Sequence, residues 1–137
     1  MALTHLVDTS VLTRLGRPEV RDAIQTRAER GELARAGISD LEVGYSARDA
    51  SEWDRLADAL KLFDLVETTS EHVRRARQVQ RLLATKHQRG RKVPDLLIAA
   101  AAEVERLTVL HYDADFDRIA AVTGQPSEWI VPPGSID

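Results

Sequence analysis

Short β-forming runs alternate with helical stretches along this chain, and that alternation restricts the fold more than any other feature. His5-Leu6-Val7 reads as a strand that stops at Asp8-Thr9-Ser10, whose hydroxyls suit the start of a helix. A polar helical stretch over about 18–30 closes at Gly31. Residues 34–38 predict a second strand, and Ser39-Asp40-Leu41-Glu42 has the spacing of a capping box opening the next helix. Ser51 is a candidate cap for a helix carrying Trp53, Leu56, Ala57 and Leu60 at helical spacing. Residues 62–66 alternate as a strand, and Thr68-Thr69-Ser70 announces a long helix reaching about His87. Pro94 opens a helix whose 96–102 run is apolar around its circumference, so burial on most sides is expected. Residues 107–110 predict a strand, 113–122 a short helix, and Trp129-Ile130-Val131 a last edge strand. Strands alternating with helices imply a three-layer α/β fold around a mostly parallel sheet of four to five strands.

The length of 137 residues suits one domain over 1–137, able to bury roughly 70% of its unfolded surface. Apolar residues at 43% and charged residues at 30% exclude a disordered or fibrous chain. The longest apolar run, 96–102, falls far short of the ~20 residues of a spanning helix, so no membrane association is expected. The first residues lack a basic region followed by a cleavable apolar stretch. Zero cysteines remove disulfides, thiolate metal sites and cysteine nucleophiles. A cytoplasmic location is the expectation. There is no Walker A loop, no G-x-G-x-x-G, no H-E-x-x-H and no G-x-S-x-G. His5, His72, His87 and His111 lack ligand-like spacing and read as surface or strand-end residues, while Trp53 and Trp129 read as packing or interface residues.

Four acids fall at equivalent points of the βα units: Asp8, Glu42, Asp95 and Asp113, with Asp115 as an additional member. Each follows a strand or lies in the first turn of a helix. In an open parallel sheet those points share one edge, where ligands bind. Carboxylates gathered there repel one another, and one or two Mg²⁺ or Mn²⁺ ions are the simplest countercharge, because hard cations take oxygen ligands. Helix dipoles also favour acids at N-termini by about 0.3–1 kcal/mol, which accounts for Glu42 and Asp113 as well as a functional role does. Asp8 and Asp95 are less easily explained that way. Asp8 already has Thr9 and Ser10 available as caps, and Asp95 stands at the mouth of the most apolar helix, where a charge is costly unless coordinated.

The net charge of −3 conceals a basic block. Residues 71–92 carry six Arg and two Lys against one acid. Helical spacing puts Val73, Ala76, Val79 and Leu83 on one side and Arg74, Arg77 and Arg81 on the other, and the positive charge continues into Arg89, Arg91 and Lys92. A phosphate backbone is the anionic partner such a single-signed face suits.

Taken together, Leu6-Val7-Asp8-Thr9-Ser10, Ile38-Ser39-Asp40-Leu41-Glu42, Val93-Pro94-Asp95-Leu96-Leu97-Ile98-Ala99-Ala100 and His111-Tyr112-Asp113-Ala114-Asp115-Phe116-Asp117 resemble the motifs of PIN-domain ribonucleases, specifically VapC toxins. The resemblance spans essentially the whole chain. It implies a three-layer α/β/α PIN-like domain in which Asp8 and Asp95 are the principal metal ligands and Glu42 and Asp113 complete the catalytic site. Many PIN domains carry Thr where this chain has His111, so Asp113 and Asp115 both stand as the fourth acid. It further implies Mg²⁺-dependent endonucleolytic cleavage of tRNA or ribosomal RNA, inhibition of translation, a homodimer, and a VapB-type antitoxin partner. Walls for an antitoxin groove are expected near Val11, Leu12 and Leu15 and around Trp53, Leu56 and Leu60. Two rival readings of the residues are an RNA-binding module without turnover and a receiver-like domain phosphorylated on an aspartate such as Asp8.

Overall fold

The computed structural model describes residues 2–88 and 92–137. Strand β1 (His5–Val7) shows how the interior is divided. Leu6 and Val7 are both fully buried, yet they belong to different cores, because successive side chains of a strand point to opposite faces. The same split recurs in β2 (Leu33–Ala36), where Leu33 and Ala34 part company, and in β4 (Thr108–His111), where Val109 and Leu110 do. Strands β3 (Asp64–Val66) and β5 (Ser127–Trp129) complete a five-stranded sheet in the order β3-β2-β1-β4-β5, with every neighbouring pair parallel.

The helices form the outer layers. On the Val7 face lie α1 (Thr9–Leu12), α2 (Pro18–Glu29), α3 (Gly37–Gly44) and α4 (Ala50–Leu60), contributing Val11, Val20, Ile24, Val43 and Leu60. On the Leu6 face lie α5 (Ser70–Thr85), α6 (Val93–Glu105) and α7 (Asp115–Thr123). As its composition requires, α6 is buried nearly all round, from Leu96 to the run of alanines at 99–102. Helices α5 and α6 are clamped at one end: His72 Nε2 lies 2.8 Å from Glu105 Oε2, and Arg75 Nε donates to Glu103 Oε2 at 2.7 Å. Pairing the start of α5 with the end of α6 makes the two antiparallel.

Several local expectations are corrected. Helix α3 begins at Gly37, so Ser39 and Glu42 lie inside it and form no capping box; both face Thr9 instead. Asp8, not Thr9 or Ser10, caps α1, and Asp49, not Ser51, caps α4. Strand β3 is confined to residues 64–66, and the last strand, expected over 129–131, runs over Ser127–Trp129. On α5 the buried stripe is His72, Ala76, Val79 and Leu83, with Val73 exposed. His72 takes that inner place because it joins Thr69 in the capping box and then reaches Glu105.

Candidate metal centre and its cleft

The strand order reverses at β1, which has β2 on one side and β4 on the other. The crevice beyond the carboxyl ends of β1 and β4 is where an open parallel sheet offers a site. A cleft of about 240 Å³ opens there, lined by Asp8, Glu42, Asp95 and Asp113 together with Thr9, Ser10, Arg14 and Lys92.

Asp8 leaves β1 directly: its backbone N–H donates to the Leu110 carbonyl of β4 at 2.8 Å, and its Oδ2 accepts from the Ser10 N–H at 3.0 Å. The side chain is 2% exposed, and Oδ1 has no hydrogen-bond partner among the described residues. Asp95, in the first turn of α6, is 6% exposed, and its Oδ2 is likewise buried without a partner among them. Burial raises both carboxyls above the ordinary range. For Asp95 the charges of Asp8 and then Asp113 add to it, and the carboxyl is pushed up to about 7.

Carboxylate oxygens of Asp95, Asp113 and Asp115 all lie within 4.8 Å of one another. Both candidates for the fourth acid therefore reach Asp95, while Asp8 lies outside that trio on the wall of the same cleft. Asp113 is positioned twice over. Its N–H donates to His111 Nδ1 at 3.2 Å, and its own Oδ1 accepts from the Asp115 N–H at 2.9 Å. His111, the departure from the usual Thr, is fully buried between Phe116 and Trp129, and burial lowers its pKa, so the neutral ring presents an acceptor to Asp113. Asp115 Oδ1 accepts from Arg118 at 2.9 Å.

Glu42 is brought in from α3 by Thr9, whose Oγ1 donates to Glu42 Oε1 at 2.7 Å and lies 2.8 Å from Ser39 Oγ. Lys92 stands beside the acids, its Nζ 3.5 Å from Asp113 Oδ2, and the negative charge of Asp113 raises its pKa. Lys92 is thus part of the cleft and not only an extension of the α5 face. Arg74, Arg77 and Arg81 are all exposed along α5, whereas Arg89 and Arg91 lie outside the described residues. Every donor facing the cleft centre from the acids is an oxygen, which suits a hard divalent cation, and the two orphaned oxygens are what such an ion would satisfy. The residues present fit Mg²⁺ or Mn²⁺.

Of the expected groove walls, Val11 and Leu12 are buried in the core and Leu15 is partly buried against it, so none of the three offers an open wall. Trp53, Leu56 and Leu60 do line a hollow of about 150 Å³ with Val43, Gly44 and Arg35. Arg35 escaped the sequence reading. Its side chain is mostly buried, pairs with Asp40 at 2.7 and 3.2 Å, and donates to the carbonyls of Leu60 and Phe63. The only signal for it was an arginine inside a short, otherwise apolar strand.

A parallel five-stranded sheet between two helical layers, with acids gathered over its central strands, is the arrangement of a PIN domain, and the PIN domain family profile matches residues 5–122. The chain belongs to that family. Within it the chain is of the VapC type. It is 65% identical to Ribonuclease VapC51 of Mycobacterium tuberculosis over 137 residues, covering 100% of both chains. It is 44% identical to Ribonuclease VapC21 of the same organism, covering 98% of this chain and 99% of that one. The fold is similar to VapBC2 from Rickettsia felis bound to a DNA fragment from its promoter, with a TM-score of 0.79, 16% identity, and coverage of 94% and 98%. DNA-bound VapBC from Salmonella typhimurium has a TM-score of 0.77 at 17% identity, covering 94% and 99%.

Proposed function

We propose that this VapC-type chain is a Mg²⁺-dependent endoribonuclease, the toxin of a type II toxin–antitoxin pair, which cuts structured RNA such as tRNA or ribosomal RNA and so inhibits translation. The observation that carries the reading is the pair of buried oxygens without a partner among the described residues, Asp8 Oδ1 and Asp95 Oδ2, in a cleft shared with Asp113, with Asp115 in reach of Asp95. Asp8 and Asp95 would hold the ion, with Asp113 and Asp115 completing its surroundings. When bound, a divalent cation supplies Lewis-acid activation of water and neutralises charge on the phosphoryl oxygens. Glu42, held on one oxygen by Thr9, offers its other oxygen to orient the attacking water. Lys92 sets a positive charge at the rim, where bare acids alone would repel a phosphodiester.

The arginines of α5 supply the track for the RNA backbone. The His72–Glu105 and Arg75–Glu103 pairs fix the register of α5 against α6, so Arg81 stands about level with Leu96, one residue from Asp95. Arg77 and Arg74 follow over about 10 Å at 1.5 Å per residue, leading away from the acids. A homodimer and a VapB-type antitoxin in the cytoplasm belong to the same proposal. Leu41 on α3, Tyr45 just past its end and Trp53 on α4, 70%, 92% and 47% exposed, are apolar surface suited to a protein partner.

The test is cleavage of RNA by purified chain with Mg²⁺. Asp8→Asn and Asp95→Asn are expected to abolish cleavage while keeping a cooperative thermal transition, and chelator is expected to do the same to the parent chain. Cleavage left unchanged in both folded variants refutes the metal assignment.

A further inference from the structure

Arg14 lines the acid cleft, yet the proposed chemistry gives it no task. Its guanidinium is fixed from several directions. Nη1 donates to the Ser10 carbonyl at 2.7 Å, and the group lies over the Tyr112 ring at 5.0 Å from the centroid. Tyr112 is itself tied down, its N–H donating to Ser10 Oγ at 2.8 Å and its hydroxyl to the Ile136 carbonyl at 2.8 Å. The arginine is therefore held by Ser10, two residues after Asp8, and by Tyr112, the residue after His111.

That arrangement does not neutralise the charge. Among the described residues, the ion-pair partner of Arg14 is Asp137, 3.8 Å from Nε and shared with Arg17 at 3.6 Å. Asp137 is 69% exposed, and a long pair with an exposed acid is worth little. Nε is buried and makes no hydrogen bond among the described residues. Of the five N–H donors of the guanidinium, one is committed to Ser10, and the planar fork suits a phosphate. Lys92, by contrast, faces Asp113 and serves the acids.

We infer that Arg14 is a substrate-positioning residue that binds a phosphate of the RNA strand at the mouth of the cleft, with Asp137 standing in for that phosphate in the free protein. This rests on the ribonuclease reading, and it adds an anchor on the α1 side of the cleft, apart from the α5 track. A phosphate gripped there fixes the strand across the acids; the grip carries no base information, so it serves every sequence alike.

The experiment measures binding of a fluorescein-labelled oligouridylate to the uncleaving Asp95→Asn chain across a salt series. Removing one phosphate-binding cation from a single-strand site lowers the slope of log K against log salt by about 0.7. Arg14→Ala in that background is expected to lower the slope by that amount and to weaken binding about tenfold at low salt. Arg14→Lys is expected to keep the slope and recover part of the affinity, and Asp137→Asn to tighten binding. A role confined to holding Tyr112 would move the melting temperature and leave the slope alone. If Arg14→Ala does not fold, Arg14→Gln, which can still donate to Ser10, is read in the same way. A slope unmoved by folded Arg14→Ala or Arg14→Gln overturns this assignment alone. Failure of the Asp95→Asn chain to bind RNA at any salt overturns it together with the ribonuclease reading.

Discussion

Asp95→Asn removes one charge from a cleft whose acids repel one another, and in chelator at about pH 8 the variant is expected to melt above the parent chain. The sign follows from the carboxyl being pushed from 3.8 up to about 7 by burial and by Asp8 and Asp113. The folded chain holds the Asp95 proton more tightly than the unfolded chain does. The contribution of Asp95 to stability is therefore intact below the unfolded value of 3.8 and is lost as pH rises through about 7. A difference of that size corresponds to about 4 kcal/mol, and screening by water in the open cleft cuts it to about 2 kcal/mol. For a chain of this length that is a rise in melting temperature of about 6 °C. The assay is thermal unfolding followed by circular dichroism in chelator near pH 4 and near pH 8, then with saturating Mg²⁺. The two chains should melt together at the lower pH and separate at the higher one. Mg²⁺ should raise the parent chain by about 3 kcal/mol when its concentration is a hundred times the dissociation constant, and leave the variant nearly unmoved. A variant that melts at or below the parent chain in chelator at the higher pH refutes the argument from mutual repulsion.

Thr9→Val deprives Glu42 of its hydrogen bond and should lower kcat about tenfold with little change in melting temperature, whereas Thr9→Ser should keep the rate; single-turnover cleavage checks both. Arg35→Ala strips Asp40 and two backbone carbonyls of a mostly buried partner and should cost about 3 kcal/mol in urea unfolding, with Arg35→Lys recovering only part because the paired interaction needs the planar fork. Gly44→Ala would set a Cβ 2.5 Å from Trp53 Nε1, so the half-exposed indole must swing outward; the expected result is a red-shifted tryptophan emission and a loss of about 1 kcal/mol, and an unshifted spectrum refutes it.

The sheet was legible because each strand is announced by its own few residues: a short apolar run that halts at a polar cluster needs no knowledge of its neighbours. The convergence of Asp8, Asp95 and Asp113 was legible for the same reason, since topology alone brings strand ends to one edge. What the sequence hid were side chains whose work depends on distant partners. Ser39 and Glu42 have capping-box spacing whether or not they cap, and only Thr9, some thirty positions earlier, decides the matter. His72 looked like surface, although Thr69-x-x-His has the spacing of the box it forms; burial came from Glu105 on the next helix. Arg14 gave no local signal and Arg35 only that of an arginine in an apolar strand, because what such a side chain does is defined by what lies across the fold.

The acids are scattered from position 8 to position 115, and β4 is the strand that flanks β1 on one side. A nascent chain still lacking that strand has neither this neighbour of β1 nor the last two carboxylates, and domains generally fold as units as they emerge during synthesis. The site is accordingly incomplete until β4 and the two acids that follow it have been translated.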